Sequence, residues 1–155
     1  VVQEHELMIK IAHNLGQEYV ELGQFEIGVG YLQQARTQAA AIGDRQREGK
    51  CYHAIGTGYA LQAQYDQAIQ HYQMAYTTCQ LTGNRNWLGW VCHDLADAYS
   101  QSGNAVAALD YFRQAILLSR QLGACDLETA LAALTEEHAV LVQQNEADES
   151  SFVYS

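Results

Sequence analysis

The sequence predicts an all-α fold, an α-solenoid of three helical hairpins followed by a C-terminal capping helix, and three observations lead there. The 155 residues contain no proline, the residue that punctuates loops and breaks helices. Ala, Leu and Gln, all good helix formers, are abundant. Most telling, the chain repeats itself every 40 residues: His13, His53 and His93 keep that interval, as do Tyr19, Tyr59 and Tyr99, Ala35, Ala75 and Ala115, and Gly43, Gly83 and Gly123.

Each repeat divides into two helices. In the second, Cys51, Ile55 and Tyr59 recur at helical spacing, and after a turn so do Tyr65, Ala68, Ile69, Tyr72, Ala75 and Cys79. Asp44 and Asn84 suit the N-caps of the third and fifth helices, while Gly43, Gly83 and Gly123 can close the helix before each junction in the left-handed conformation. Gly23 and Gly103 mark the turn inside a hairpin. Small residues at Gly16, Gly56 and Ala96, and at Gly28, Ala68 and Ala108, let paired helices approach closely. Leu15, Ile55 and Leu95 keep the same register.

Composition narrows the function classes. A hydrophobic fraction of 48% argues for a folded chain, and the lack of a long uncharged apolar run argues against a membrane-spanning helix. The net charge of −10 makes nucleic acid and anionic membranes poor partners, since affinity for phosphate comes from Lys and Arg. Cys51, Cys79, Cys92 and Cys125 form no CxxC pair, so they read as reduced thiols of a cytoplasmic protein. No phosphate-binding Gly loop, GxSxG or HExxH is present. Cys92, His93 and Asp94 are consecutive, and neighbours on a helix diverge by roughly 100°, so they cannot form a catalytic relay. We therefore expect no enzyme activity and no cofactor.

The segments HNLGQEYVELGQFEIGVGYLQQA, HAIGTGYALQAQYDQAIQHYQMA and HDLADAYSQSGNAVAALDYFRQA resemble the tetratricopeptide repeat (TPR) family. The long repeat is similar to that of G-protein-signalling modulators, kinesin light chains and bacterial regulators; the usual unit is about 34 residues. Ala40, Gln80 and Arg120 stand where proline often ends the second helix. The resemblance implies a right-handed solenoid over residues 4–144, with repeats at about 4–43, 44–83 and 84–123, a cap at 126–144 and an acidic tail at 145–155. It also implies a non-catalytic scaffold that binds a partner peptide or helix in a concave groove lined by the first helices. A ligand-sensing regulatory module is the alternative.

Carried over residue by residue, the groove positions are Lys10, His13, Asn14, Gln17, Lys50, His53, Thr57, Trp90, His93, Asp94 and Asp97. Lys10 and Lys50 lie toward one end, Asp94 and Asp97 toward the other, so a ligand of mixed charge would complement the groove. Trp90 is the expected anchor and Trp87 the packing tryptophan. The in-register histidines either bond an extended peptide or pack against the next repeat and satisfy a local carbonyl. A shared metal is not expected, because packed helices stand about 8–10 Å apart whereas metal bonds are near about 2 Å. The carboxylate-clamp positions of chaperone-binding TPR domains hold His13, Gln17, Ala54, Trp90 and Asp94, none matching the clamp. The N-terminal end lacks a preceding pair, and through this open face the chain can self-associate weakly.

Overall fold

The structure, a computed structural model, describes residues 1–121. The cap expected over 126–144, the tail and Cys125 lie outside the described residues. Six helices follow one another: α1 (Val2–Glu21), α2 (Phe25–Ala41), α3 (Arg45–Leu61), α4 (Tyr65–Thr82), α5 (Arg85–Gln101) and α6 (Ala105–Gln121). Each packs against its successor, α1 with α2, α3 with α4 and α5 with α6 within hairpins, α2 with α3 and α4 with α5 between them. The described residues thus form an all-α solenoid of three hairpins.

One closure recurs at the helix ends. Inside the hairpins the Gln24, Gln64 and Asn104 amides reach back to the carbonyls of Tyr19, Tyr59 and Tyr99 at 2.8, 3.0 and 2.9 Å. Between hairpins Asp44 and Asn84 reach Ala39 and Cys79 at 2.9 and 3.2 Å. These bonds satisfy orphan carbonyls and need a left-handed residue just before the donor. Gly23, Gly43, Gly83 and Gly103 supply it, with φ from +68° to +85°. The second hairpin departs from the pattern, since Ala63 takes the same conformation at φ +57°.

The N-terminal ends of α3 and α5 are capped as expected. Asp44 Oδ1 accepts from the Arg47 amide at 3.0 Å and Asn84 Oδ1 from the Trp87 amide at 3.2 Å. Asn104 caps α6 in the same way through the Ala107 amide at 3.2 Å, whereas α2 and α4 start from Gln24 and Gln64 without a side-chain cap bond.

Close approach within the first hairpin depends on glycine: a Cβ on Gly28 would stand 2.7 Å from the Gly16 carbonyl oxygen and 2.8 Å from the Val20 amide nitrogen. Farther along, Ala96 and Ala108 fill the corresponding places and are both buried. The buried residues gather in three clusters, Ile9, Ala12, Ala35, Ala39 and Cys51 and then Val20, Val29, Leu32, Ala54 and Ile55 at the first junction, and Ile69, Tyr72, Cys79, Val91 and Leu95 at the second.

One in-register position behaves differently. Ile55 and Leu95 are 1% and 0% exposed, beneath the hairpins that precede them, but Leu15 is 40% exposed. Among the described helices α1 packs only against α2 and α3.

Candidate functional site

The eleven groove positions fall on the three first helices, at intervals of three and four residues that keep them near one face. On α1, Lys10, Asn14 and Gln17 are exposed and His13 is half-buried; on α3, Lys50 is exposed while His53 and Thr57 are half-buried. On α5, Trp90, His93 and Asp97 are exposed and Asp94 is half-buried. Ala54, the remaining clamp position, is buried in the core.

The three histidines do not play one part. Burial lowers the pKa of His13 and outweighs the raising effect of its hydrogen bonds to the Asn14 side chain and the Lys50 backbone, while the Lys50 and His53 charges lower it further. His13 is therefore biased toward the neutral ring. His53 crosses to the next hairpin, where its Nε2 lies 2.6 Å from Asp94 Oδ2. Its ring also meets Trp87 edge-on at 5.8 Å and Tyr72 at 5.4 Å. His93 sets its ring edge-to-face against Phe112 at 6.0 Å, with Nδ1 3.4 Å from Asp94 Oδ1.

Asp94 is thus the meeting point of two histidines. Burial alone would raise its pKa, but the hydrogen bonds and charges of His53 and His93 prevail and hold it down to about 2. Behind it the Tyr72 hydroxyl donates to Thr57 Oγ1 at 3.2 Å, and Thr57 donates to the His53 carbonyl at 3.1 Å. Burial chiefly pushes the Tyr72 phenol up to about 12, so it stays a donor. The charge pattern read from sequence changes accordingly: Asp94 is engaged within the protein, leaving Asp97 as the exposed acid of α5 among the groove positions. Arg47 is engaged as well, by Asp44 and by Glu6 at 3.8 Å. Lys10 and Lys50 form no ion pair among the described residues.

The two tryptophans of α5 differ in exposure. Trp90 is 70% exposed, whereas Trp87 packs against His53 and close to the backbone of Gly49.

Sequence reasoning missed a ladder beside the groove. Tyr19 stacks on Tyr31 at 5.6 Å, Tyr59 on His71 at 5.1 Å and Tyr99 on Tyr111 at 5.6 Å. Residues 31, 71 and 111 keep the 40-residue register, so the signal was present. The Arg36 guanidinium over the Tyr52 ring at 5.3 Å carries no such signal, because it does not repeat.

Burial raises Cys51 and Cys79 to about 12 and Cys92 to about 11, which suppresses the nucleophilic thiolate. Among the described residues no cluster of three His, Cys, Asp or Glu could hold a metal, and no helix is long and apolar enough to cross a membrane.

The chain matches the tetratricopeptide repeat family over residues 7–81 and 59–121, and it belongs to that family. Solved structures share the fold. The TPR domain of Arabidopsis FLU is 17% identical with a TM-score of 0.70, over 76% of this chain and 98% of that one. Aspartyl phosphate phosphatase F from Bacillus subtilis is 21% identical with a TM-score of 0.75; 92% of this chain is covered, spanning 38% of the phosphatase. Nearly identical TPR-like repeats assigned to a kinesin light chain from Podosopora anserina are 18% identical with a TM-score of 0.66, over 92% and 75% of the two chains. No curated protein matches the chain by sequence.

Proposed function

We propose that this chain is a non-catalytic protein-interaction scaffold whose first-helix face takes a peptide or helix from a protein partner. The observation that carries the reading is Trp90, 70% exposed on α5, on the same face as exposed Lys10, Lys50 and Asp97. An exposed indole beside polar groups is the composition of a binding hot spot, where a few large side chains dominate affinity. Because Asp94 is engaged by His53 and His93, the exposed charges among the groove positions are Asp97 on α5 and Lys10 and Lys50 on α1 and α3. The ligand accordingly carries acidic residues over those helices and an apolar side chain at Trp90, with a basic residue near Asp97. Buried, reduced thiols suit the cytoplasm.

A peptide library displayed on phage and selected against the immobilised protein tests this. Selected peptides should lose about tenfold or more in affinity for Trp90→Ala, and less for Lys50→Ala. Retention of full affinity by both variants, with their helicity unchanged, would remove this face from consideration.

A further inference from the structure

The outer face of α1 carries Leu7, Met8, Ile11 and Leu15, exposed by 57, 55, 45 and 40%. Residues 7, 11 and 15 form one stripe, since positions four apart lie on one side of a helix. The 40-residue register shows what normally covers such a stripe. Its counterparts in α3 are Arg47, Cys51 and Ile55, and in α5 Trp87, Val91 and Leu95. Cys51 and Ile55 pack against Ala35, Ala39 and Leu32 of α2, while Val91 and Leu95 pack against residues of α4. In both cases the cover is an amphipathic helix, the second of the preceding hairpin, and the α1 face continues that interface.

The rims of the stripe define the occupant further. Glu4 and Glu18 are exposed and, at 100° per residue, fall on the same side of α1 as Ile11, one beyond each end of the apolar patch. In α3 and α5 the position of Glu18 is held by Gly58 and Ala98, both buried. A cover brought to α1 therefore meets a carboxylate at each end, about 21 Å apart at 1.5 Å per residue. A second copy would bring its own Glu4 and Glu18 to the same contact, together with a net charge of −10. Like charges placed opposite each other oppose that pairing.

We infer that the α1 face is a docking surface for an amphipathic helix with a Leu/Ala-rich side and a basic residue toward each end. It would lie on α1 as α2 lies on α3 and α4 on α5. The stripe uses none of the eleven first-helix positions, although Asn14, three residues from Ile11, lies at its border.

Two synthetic helical peptides of about six turns test this, long enough to span both carboxylates. They share a Leu/Ala face and differ only in carrying lysine or glutamate at the two positions opposite Glu4 and Glu18. The lysine peptide should bind at least about tenfold more tightly at low salt and lose that margin as salt rises. Ile11→Asp, on an exposed position, should weaken it by about tenfold with helicity unchanged, and the pair Glu4→Lys, Glu18→Lys should reverse the preference between peptides. Equal binding of the two peptides, binding of neither, or undiminished binding to Ile11→Asp would overturn the inference. A wild-type chain that sediments as a dimer, and as a monomer with Ile11→Asp, would assign the face to a second copy and overturn it as well.

Discussion

The junction between the first and second hairpins has one cluster of small side chains, Ala12, Ala35, Ala39 and Cys51 around Ile9, and another in which Phe25 meets Tyr59 beside Leu32 and Ile55. Basic groups tie it from its edges, Arg36 over Tyr52 at 5.3 Å and Arg47 toward Glu6 at 3.8 Å. The junction between the second and third hairpins has no such small-residue cluster; Tyr72, Tyr76 and Trp87 pack there around Cys79, Val91 and Leu95, and the 2.6 Å contact of His53 with Asp94 fastens it. Both occupy the same place in the 40-residue unit. The repeat thus dictates where helices meet, and each meeting is free to use its own chemistry. A polar contact at one junction has no need of a counterpart at the other, and Ala54 stands where the second junction has Asp94.

The largest expected effect tests whether a preceding hairpin is what gives a register position its weight. Ile55→Ala and Leu95→Ala should each cost about 3 kcal/mol in denaturant unfolding, since both are buried. Leu15→Ala, at the same register but exposed, should stay within about 0.5 kcal/mol. Equal losses at all three positions would mean that the face of α1 is covered.

Next in size is the polar link of the second junction. Asp94→Ala should cost about 1–2 kcal/mol, a charge-assisted bond discounted for partial exposure. A double-mutant cycle with His53→Ala should return a coupling of at least about 0.5 kcal/mol. Arg36→Ala at the first junction should cost less, about 0.5–1 kcal/mol, as one partly exposed cation–π contact. A larger loss at Arg36 would reverse the ordering of the junctions.

The junctions should also differ in pH response. A carboxyl whose pKa falls to about 2 in the folded chain stabilises it above the unfolded value of about 3.9, and that contribution is lost as pH drops from about 4 toward 2. A histidine whose folded pKa is lowered resists protonation, so stability is complete above about 6.5 and declines as pH falls below that value. His13→Gln should flatten the upper decline and Asp94→Asn the lower one in Tm measured against pH. Either variant flattening both would show that the two sites titrate as one.

The architecture was largely legible, because residues such as His53, Ala75 and Gly83 recur at an interval that chance does not produce. The caps at Asp44 and Asn84 and the exposure of Trp90 could also be read, since they follow from residue type and helical angle. The His53–Asp94 contact could not, because its partners lie 41 residues apart and only the stacking of two hairpins brings them together. Ala63 was hidden for the opposite reason: its conformation is imposed by the closure around it, against its own preference.

That makes Ala63→Gly the smallest and most pointed change. Relief of the left-handed alanine, worth about 1 kcal/mol, is partly offset by the added freedom of glycine in the unfolded chain, about 0.4–1 kcal/mol. A net stabilisation of a few tenths of a kcal/mol is expected from the melting curve. A loss would show that the turn of the second hairpin is held by something other than backbone geometry.

The placement of the indoles has an optical consequence. The chain has two tryptophans, both on α5, one half-buried beside an imidazole and the other facing solvent. Tryptophan emission from this molecule therefore watches the second junction and is nearly blind to the first. Trp87 therefore reports changes around His53 at the second junction, as Trp90 reports what arrives at the surface. Two signals of different colour come from one helix.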